Sequence, residues 1–145
     1  MDSGAQRRGR RRISREDYRA LAAFRHALRR FAMFSEAAAH AQGLTAQQHQ
    51  AILAIKGHMV GERSTIGDLA EQLLIKHHSA VELVDRLCRA GLVTRLHAEA
   101  DRRNVLIALT PKAETLLEEL SSIHIEELRR SRALLVRLLD RVDMF

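Results

Sequence analysis

The chain has 145 residues, 46% of them apolar, which suits one domain with a core of useful size. Lys and Arg number 24 against 18 Asp and Glu, a formal charge of +6, so its surface favours a polyanionic partner. Only 3% of residues are aromatic and one is cysteine, which argues against single-strand binding by base stacking and excludes an internal disulfide. No apolar run approaches the roughly 18 residues of a membrane span, and no apolar stretch precedes a cleavage-like site. The cysteine usage fits a reducing, cytoplasmic setting.

Residues 1–14 hold Arg7, Arg8, Arg10, Arg11 and Arg12 among small polar residues without helical period, the composition of a disordered basic arm. Such an arm either adds sequence-blind affinity for phosphates or only solubilises. From Arg15 to about Ala41 a long helix is expected. Tyr18, Leu21, Ala22, Leu28, Phe31 and Ala32 form its stripe, widened by Phe24 and Phe34. A second helix starts at Thr45, with Gln48 completing a capping box and Ala51, Ile52 and Ile55 on its apolar side.

The stretch from Thr65 to Thr110 organises the rest. A short helix carries Ile66, Leu69, Ala70 and Leu73, capped by Thr65 with Asp68 as the reciprocal partner. A second repeats the period through Ala80, Leu83, Val84 and Leu87 and stops at Gly91. The period then changes: Leu92 to His97 and Asn104 to Leu109 read as strands around the charged tip Ala98–Arg103. Helix, turn, helix and a two-stranded ribbon make a winged helix-turn-helix, in a fold that is mainly α with a small β-wing.

A recognition helix buries one face and offers polar groups to base edges on the other. Spacing of about 100° per residue puts Ala80, Val84 and Leu87 together, with His78, Glu82, Asp85 and Arg89 opposite and Ser79 and Arg86 flanking. The DNA-binding candidates are therefore Thr65, Lys76, His77, His78, Ser79, Glu82, Arg86 and Arg95, with Arg102 and Arg103 at the wing tip. Arginine suits a narrow, electronegative minor groove, and Asp101 would pair with a neighbouring arginine to hold the wing. For any one of these side chains, an ordinary solvated surface is the competing explanation.

Thr110-Pro111 starts a last helix that meets no breaker before Met144. At 1.5 Å per residue it runs roughly 50 Å, too long to bury its stripe inside one small domain. Pairing with another chain is the expected solution. The interface candidates are Tyr18, Leu21 and Leu28 with Leu134, Leu135, Leu138, Leu139 and Val142. A hairpin closing on the chain's own first helix is the alternative.

Gly91-Leu92-Val93-Thr94-Arg95, then Asp101-Arg102-Arg103, then Leu109-Thr110, resembles the signature of the MarR family of bacterial transcription regulators. The resemblance covers nearly the whole chain: a winged helix-turn-helix at about 44–110, flanked by dimerisation helices at about 15–41 and 111–144, as one domain from 15 to 145. It implies a homodimer on a pseudo-palindromic double-stranded DNA operator, usually a repressor and often released by a small-molecule effector. It also implies that Arg103, with Arg102, is the minor-groove residue. Acidic Glu82 departs from the small or basic residues usual there, so operator preference does not carry over.

Other chemistry finds little support. Cys88 sits on the buried side of the recognition helix, where a small inert hydrophobe is the default, and no cysteine lies near Tyr18, where the peroxide-sensing branch carries its own. His77 and His78 diverge by about 100° on a helix, and the other histidines lack metal-ligand spacing. No phosphate loop, nucleophile elbow or zinc-protease helix occurs, so neither catalysis, metal nor cofactor is expected. Two other function classes remain: a ligand or metal sensor without specific DNA binding, and a winged-helix protein-interaction module.

Overall fold

The computed structural model describes residues 12–58, 61, 63–96 and 105–142. The elements are α1 (Arg15–Ala41), α2 (Ala46–Gly57), β1 (Ser64–Thr65), α3 (Ile66–Leu73), α4 (His77–Arg89), β2 (Val93–Leu96), β3 (Leu106–Leu109) and α5 (Pro111–Val142). The expected basic arm falls almost wholly, and the wing tip wholly, outside the described residues.

Helix starts follow local hydrogen-bond chemistry. Thr45 with Gln48 and Thr65 with Asp68 form the reciprocal capping boxes expected of them. Ser14 and Asp17 form a third at the head of α1, which the sequence reading did not single out. Before α5, Thr110 Oγ1 accepts from the Ala113 amide at 3.2 Å and donates to the Gly91 carbonyl at 2.6 Å.

The ends of α1, α3 and α4 share one device. After α1 the amides of Gly43 and Leu44 reach back to His40 and Ala39; after α4 those of Gly91 and Leu92 reach Cys88 and Leu87. This is the Schellman pattern, with glycine in the left-handed conformation at φ 77° and 71° and an apolar residue next. After α3 the amides of Leu74 and Ile75 make the equivalent bonds to Glu71 and Ala70. Here the left-handed position, φ 54°, falls to a leucine that is 92% exposed.

The winged unit buries its apolar stripes together. Ile52, Ile55, Leu69, Leu83, Val84, Leu87, Leu92 and Ile107 form one core that continues into α5 through Ala113, Leu117 and Leu120. The sheet corrects one expectation: the ribbon has three strands, in the order β1-β3-β2, all antiparallel. Ser64 and Thr65 pair with Ile107 and Leu106, while Val93–Leu96 pair with Leu109–Leu106. A two-residue strand is too short to show alternation, so only its partner defines it.

α1 and α5 close on each other in the same chain. Ser35 of α1 meets His124 of α5, and at the far end Arg141 lies 3.7 Å from Glu16, so the helices run antiparallel. The hairpin held as the alternative is therefore present within one chain. It covers one side of each helix only: Tyr18, Leu21, Leu28, Leu134 and Leu139 remain exposed, while Leu135 and Leu138 are half-buried. Val142 ends α5 with its side chain outside the described set.

Replacing Leu74 by glycine relieves a left-handed residue worth about 1–2 kcal/mol against about 0.4–1 kcal/mol of added unfolded-chain entropy. Leu74→Gly is thus expected to raise the midpoint of chemical denaturation, and a lowered midpoint would show that this leucine has a packing role.

Candidate nucleic-acid interface

α4 is amphipathic in the sense a groove-reading helix requires. Ala80, Leu83, Val84 and Leu87 are all 0% exposed on its inner face. On the outer side Lys76, His77, His78, Glu82, Arg86 and Arg89 are exposed, with Ser79 and Asp85 half-buried. No large apolar side chain of α4 is exposed.

The helix also starts differently from its neighbours. Lys76 occupies the N-cap and makes no side-chain cap hydrogen bond, whereas α1, α2 and α3 each have a capping box. The first amides of α4, which have no partner within the helix, therefore lack a capping side chain, beside an exposed lysine and two exposed histidines. Such an end attracts anions through its amides and its dipole.

Two of the candidate contacts are held internally. Arg95 on β2 donates to Asp85 of α4 at 2.6 Å, an ion pair in which both side chains are partly exposed. Arg86 donates to Gln47 of α2 at 3.4 Å. Thr65 is occupied twice, as cap of α3 through the Asp68 amide and as a residue of β1. Neither Asp85 as an arginine partner nor Gln47 was predicted, since only the fold brings those pairs together. Asp101, Arg102 and Arg103 lie outside the described residues.

The unit is also tied to the hairpin. Lys112 of α5 donates to the Ala90 carbonyl at the end of α4, at 2.9 Å, a cation placed where the helix dipole is negative. Lys56 of α2 pairs with Glu114 of α5 at 2.9 Å. Between α1, α2 and α5 the rings of His49 and His124 lie 4.8 Å apart, although the sequence placed them among scattered histidines.

The model of the MarR family matches residues 42–104, the part that holds α2 to β2. The winged helix is similar to that of the MarR family. The transcriptional activatory protein BadR of Rhodopseudomonas palustris is 32% identical over 84 residues, 58% of this chain and 48% of that protein. The MarR-type match spans about half the length of the curated relatives. Among solved structures, AbsC, a MarR family transcriptional regulator from Streptomyces coelicolor, superposes with a TM-score of 0.73 at 21% identity, covering 93% of this chain and 90% of its own. BpsR of Bordetella bronchiseptica, described through the regulation of its DNA binding by 6-hydroxynicotinic acid, gives 0.63 at 25% identity, covering 86% and 98%.

Among the described residues, no group of three or more His, Cys, Asp or Glu could hold a metal ion. No described helix is long and apolar enough to cross a membrane.

An ion pair this exposed contributes about 0–1 kcal/mol. Arg95→Ala should therefore leave the thermal midpoint of the free protein nearly unchanged; a large drop would make the Asp85–Arg95 link a structural strut.

Proposed function

We propose that the chain is a homodimeric, sequence-specific double-stranded-DNA-binding transcription regulator. The observation that carries this reading is the outward face of α4: charged, exposed, uncapped at its start and set on a fully buried base. In this reading the start of α4 enters a major groove. Lys76 and the first amides meet phosphate, while His78, Ser79 and Glu82 come within reach of base edges. Glu82 accepts hydrogen bonds only, which suits a cytosine amino group. Arg102 and Arg103 reach the flanking minor groove, with Asp101 pairing to hold the wing. Arg95 and Arg86 then serve first as braces of α4 and add positive potential near the backbone. The polar outer face disfavours a protein-interaction module, which would need an apolar patch there.

Dimerisation is supported by the side of the hairpin that the chain itself leaves open. Tyr18, Leu21, Leu28 and Leu139 are at least half exposed, as is Ile125. Apolar surface on this scale along two long helices is the mark of an interaction face. A second copy would bring two α4 helices to the two halves of a pseudo-palindrome, since protein symmetry is mirrored in the site. Repression relieved by a small-molecule effector is the mode this reading adopts; control by a small molecule is supported by the similarity to BpsR, whose DNA binding is regulated by 6-hydroxynicotinic acid. BadR, similar over about half its length, is a transcriptional activatory protein, so activation is the second mode open to this reading.

The testing experiment is a titration against the DNA upstream of the chain's own gene and against scrambled DNA, over a range of salt. Saturable preference for the native fragment near physiological salt supports the reading; equal, steeply salt-sensitive binding to both would reduce it to basicity alone. Arg103→Ala should weaken native-fragment binding by roughly 1–3 kcal/mol without changing the sedimentation coefficient. Leu139→Asp should do the reverse first, shifting the dimer toward monomer by roughly 2 kcal/mol or more if it sits at the centre of the interface. A variant that sediments as the parent does would move the interface elsewhere on the hairpin.

A further inference from the structure

The winged unit meets the helical hairpin at a cluster of rings. His49 of α2 is 2% exposed, and His124 of α5 is buried beside it. Phe31 and Phe34 of α1 set their rings edge-on to His124, at 5.8 and 5.3 Å between centroids. Little polar compensation is available. His124 Nδ1 lies 2.6 Å from the Leu120 carbonyl and its Nε2 lies 2.8 Å from Ser35 Oγ. His49 Nδ1 is buried with no hydrogen-bond partner among the described residues.

The two rings respond differently to a proton. A carbonyl can only accept, so His124 Nδ1 carries hydrogen and, in the neutral ring, Nε2 accepts from the Ser35 hydroxyl. A second hydrogen on Nε2 simply reverses that bond, because the hydroxyl can accept as well as donate. Both ring nitrogens of His124 therefore keep a partner whichever way the Ser35 hydroxyl turns. His49 has no such recourse. Its protonated Nδ1 would be a buried donor facing nothing, and two adjacent cations would repel.

The neighbouring elements do not relieve this. From α1 the cluster is faced by Phe31, Phe34 and Ser35, none of them charged. On α5 the half-buried Glu127, one turn beyond His124, is already 3.9 Å from Arg130. Glu36 and His40 of α1 are exposed. The ionisable group that acts on His49 is His124, and burial followed by that repulsion holds the His49 imidazole below its ordinary value of 6.5.

We infer that this histidine pair is a pH-sensitive latch between the winged unit and the helical hairpin, which releases α2 from α5 when both rings are charged. A folded-state value below the unfolded one means that the unfolded or opened chain takes up the proton more readily. Stability and closure are complete above 6.5 and decline as pH falls below it. α2 packs on α3 and α3 on α4, so opening the junction frees the seat of the outward helix. Acid would then lower DNA affinity, a consequence that rests on the regulator reading. The exposed His77 and His78 at the head of α4 act with the opposite sign, since charging them adds attraction to phosphate. The direction of the pH effect therefore separates the latch from a surface charge effect.

The test compares the full-length chain with His49→Leu at about pH 7.5 and about pH 5.8, across the range in which histidine charges. Amide exchange of residues 46–57, corrected for intrinsic rates, is followed without DNA, and affinity for the upstream fragment is measured in parallel. In the parent, acid should reduce protection of α2 and weaken native-fragment binding by about fivefold or more; His49→Leu should lose both responses. Unchanged protection in the parent, or an undiminished acid response in His49→Leu, overturns the latch. If His49→Leu does not fold, the imidazole resonance of His49 in the parent decides: titration below 6.5 in step with the loss of protection supports the latch, and any other order overturns it. Loss of protection in a parent that shows no preference for the native fragment at the higher pH overturns the DNA-binding reading alone and leaves the latch standing.

Discussion

The inner face of α4 is the constraint on which the rest of the molecule depends. Four side chains from Ala80 to Leu87 are completely removed from water, and each neighbour of α4 is placed by what it contributes to covering them. α3 packs from one side with Leu69, the sheet closes another with Val93 and Ile107, and α2 supplies Ile52 and Ile55 to the same core. Burial of large aliphatic side chains is worth roughly 1.5–3 kcal/mol each, so this one surface accounts for the arrangement of the winged unit. What remains outside is polar by necessity, since the apolar positions of α4 are already used.

The same reasoning explains why the hairpin looks incomplete. α1 and α5 spend one side of each helix on each other and on α2, through Phe31, Phe34, Ala39 and Leu120. Tyr18, Leu21, Leu28, Ile125 and Leu139 nevertheless stay at least half exposed among the described residues. A long helix whose stripe is wider than its intramolecular contact is ordinary in an assembly and costly in isolation.

Much of this was legible in the residues, because the relevant physics is local. A Thr with Gln or Asp three positions later predicts a capped start, and Gly91 after a periodic run predicts a stop; both occur as hydrogen bonds. Where the chemistry is not local, the sequence was silent. β1 exists only because β3 pairs with it. The turn after α3 uses a leucine where the motif's usual residue is glycine, so it offered no stop signal. His49 and His124 belong to different helices, and no spacing rule joins them. Nor could the apolar stripes of α1 and α5 say whether their partner lay in the same chain or another, and the structure gives part of each stripe to the same chain. The wing arginines took their meaning from the helices before them, and they lie outside the described residues.

The links at the start of α5 have a mechanical consequence. Thr110 and Lys112 fasten the head of that helix to Gly91 and Ala90, the last turn of α4, while its body runs away along α1. α5 is thus pinned at its head to the outward helix, with a long arm of roughly 48 Å at 1.5 Å per residue that packs along α1. Each degree of tilt about the pin moves the far end by roughly 0.8 Å on a rod of that length. Conversely, a shift of an ångström or two between the distal ends of α1 and α5 arrives at α4 as a rotation of only a degree or two. On this geometry a displacement at the top of the hairpin would reach α4 as a much smaller change of pitch.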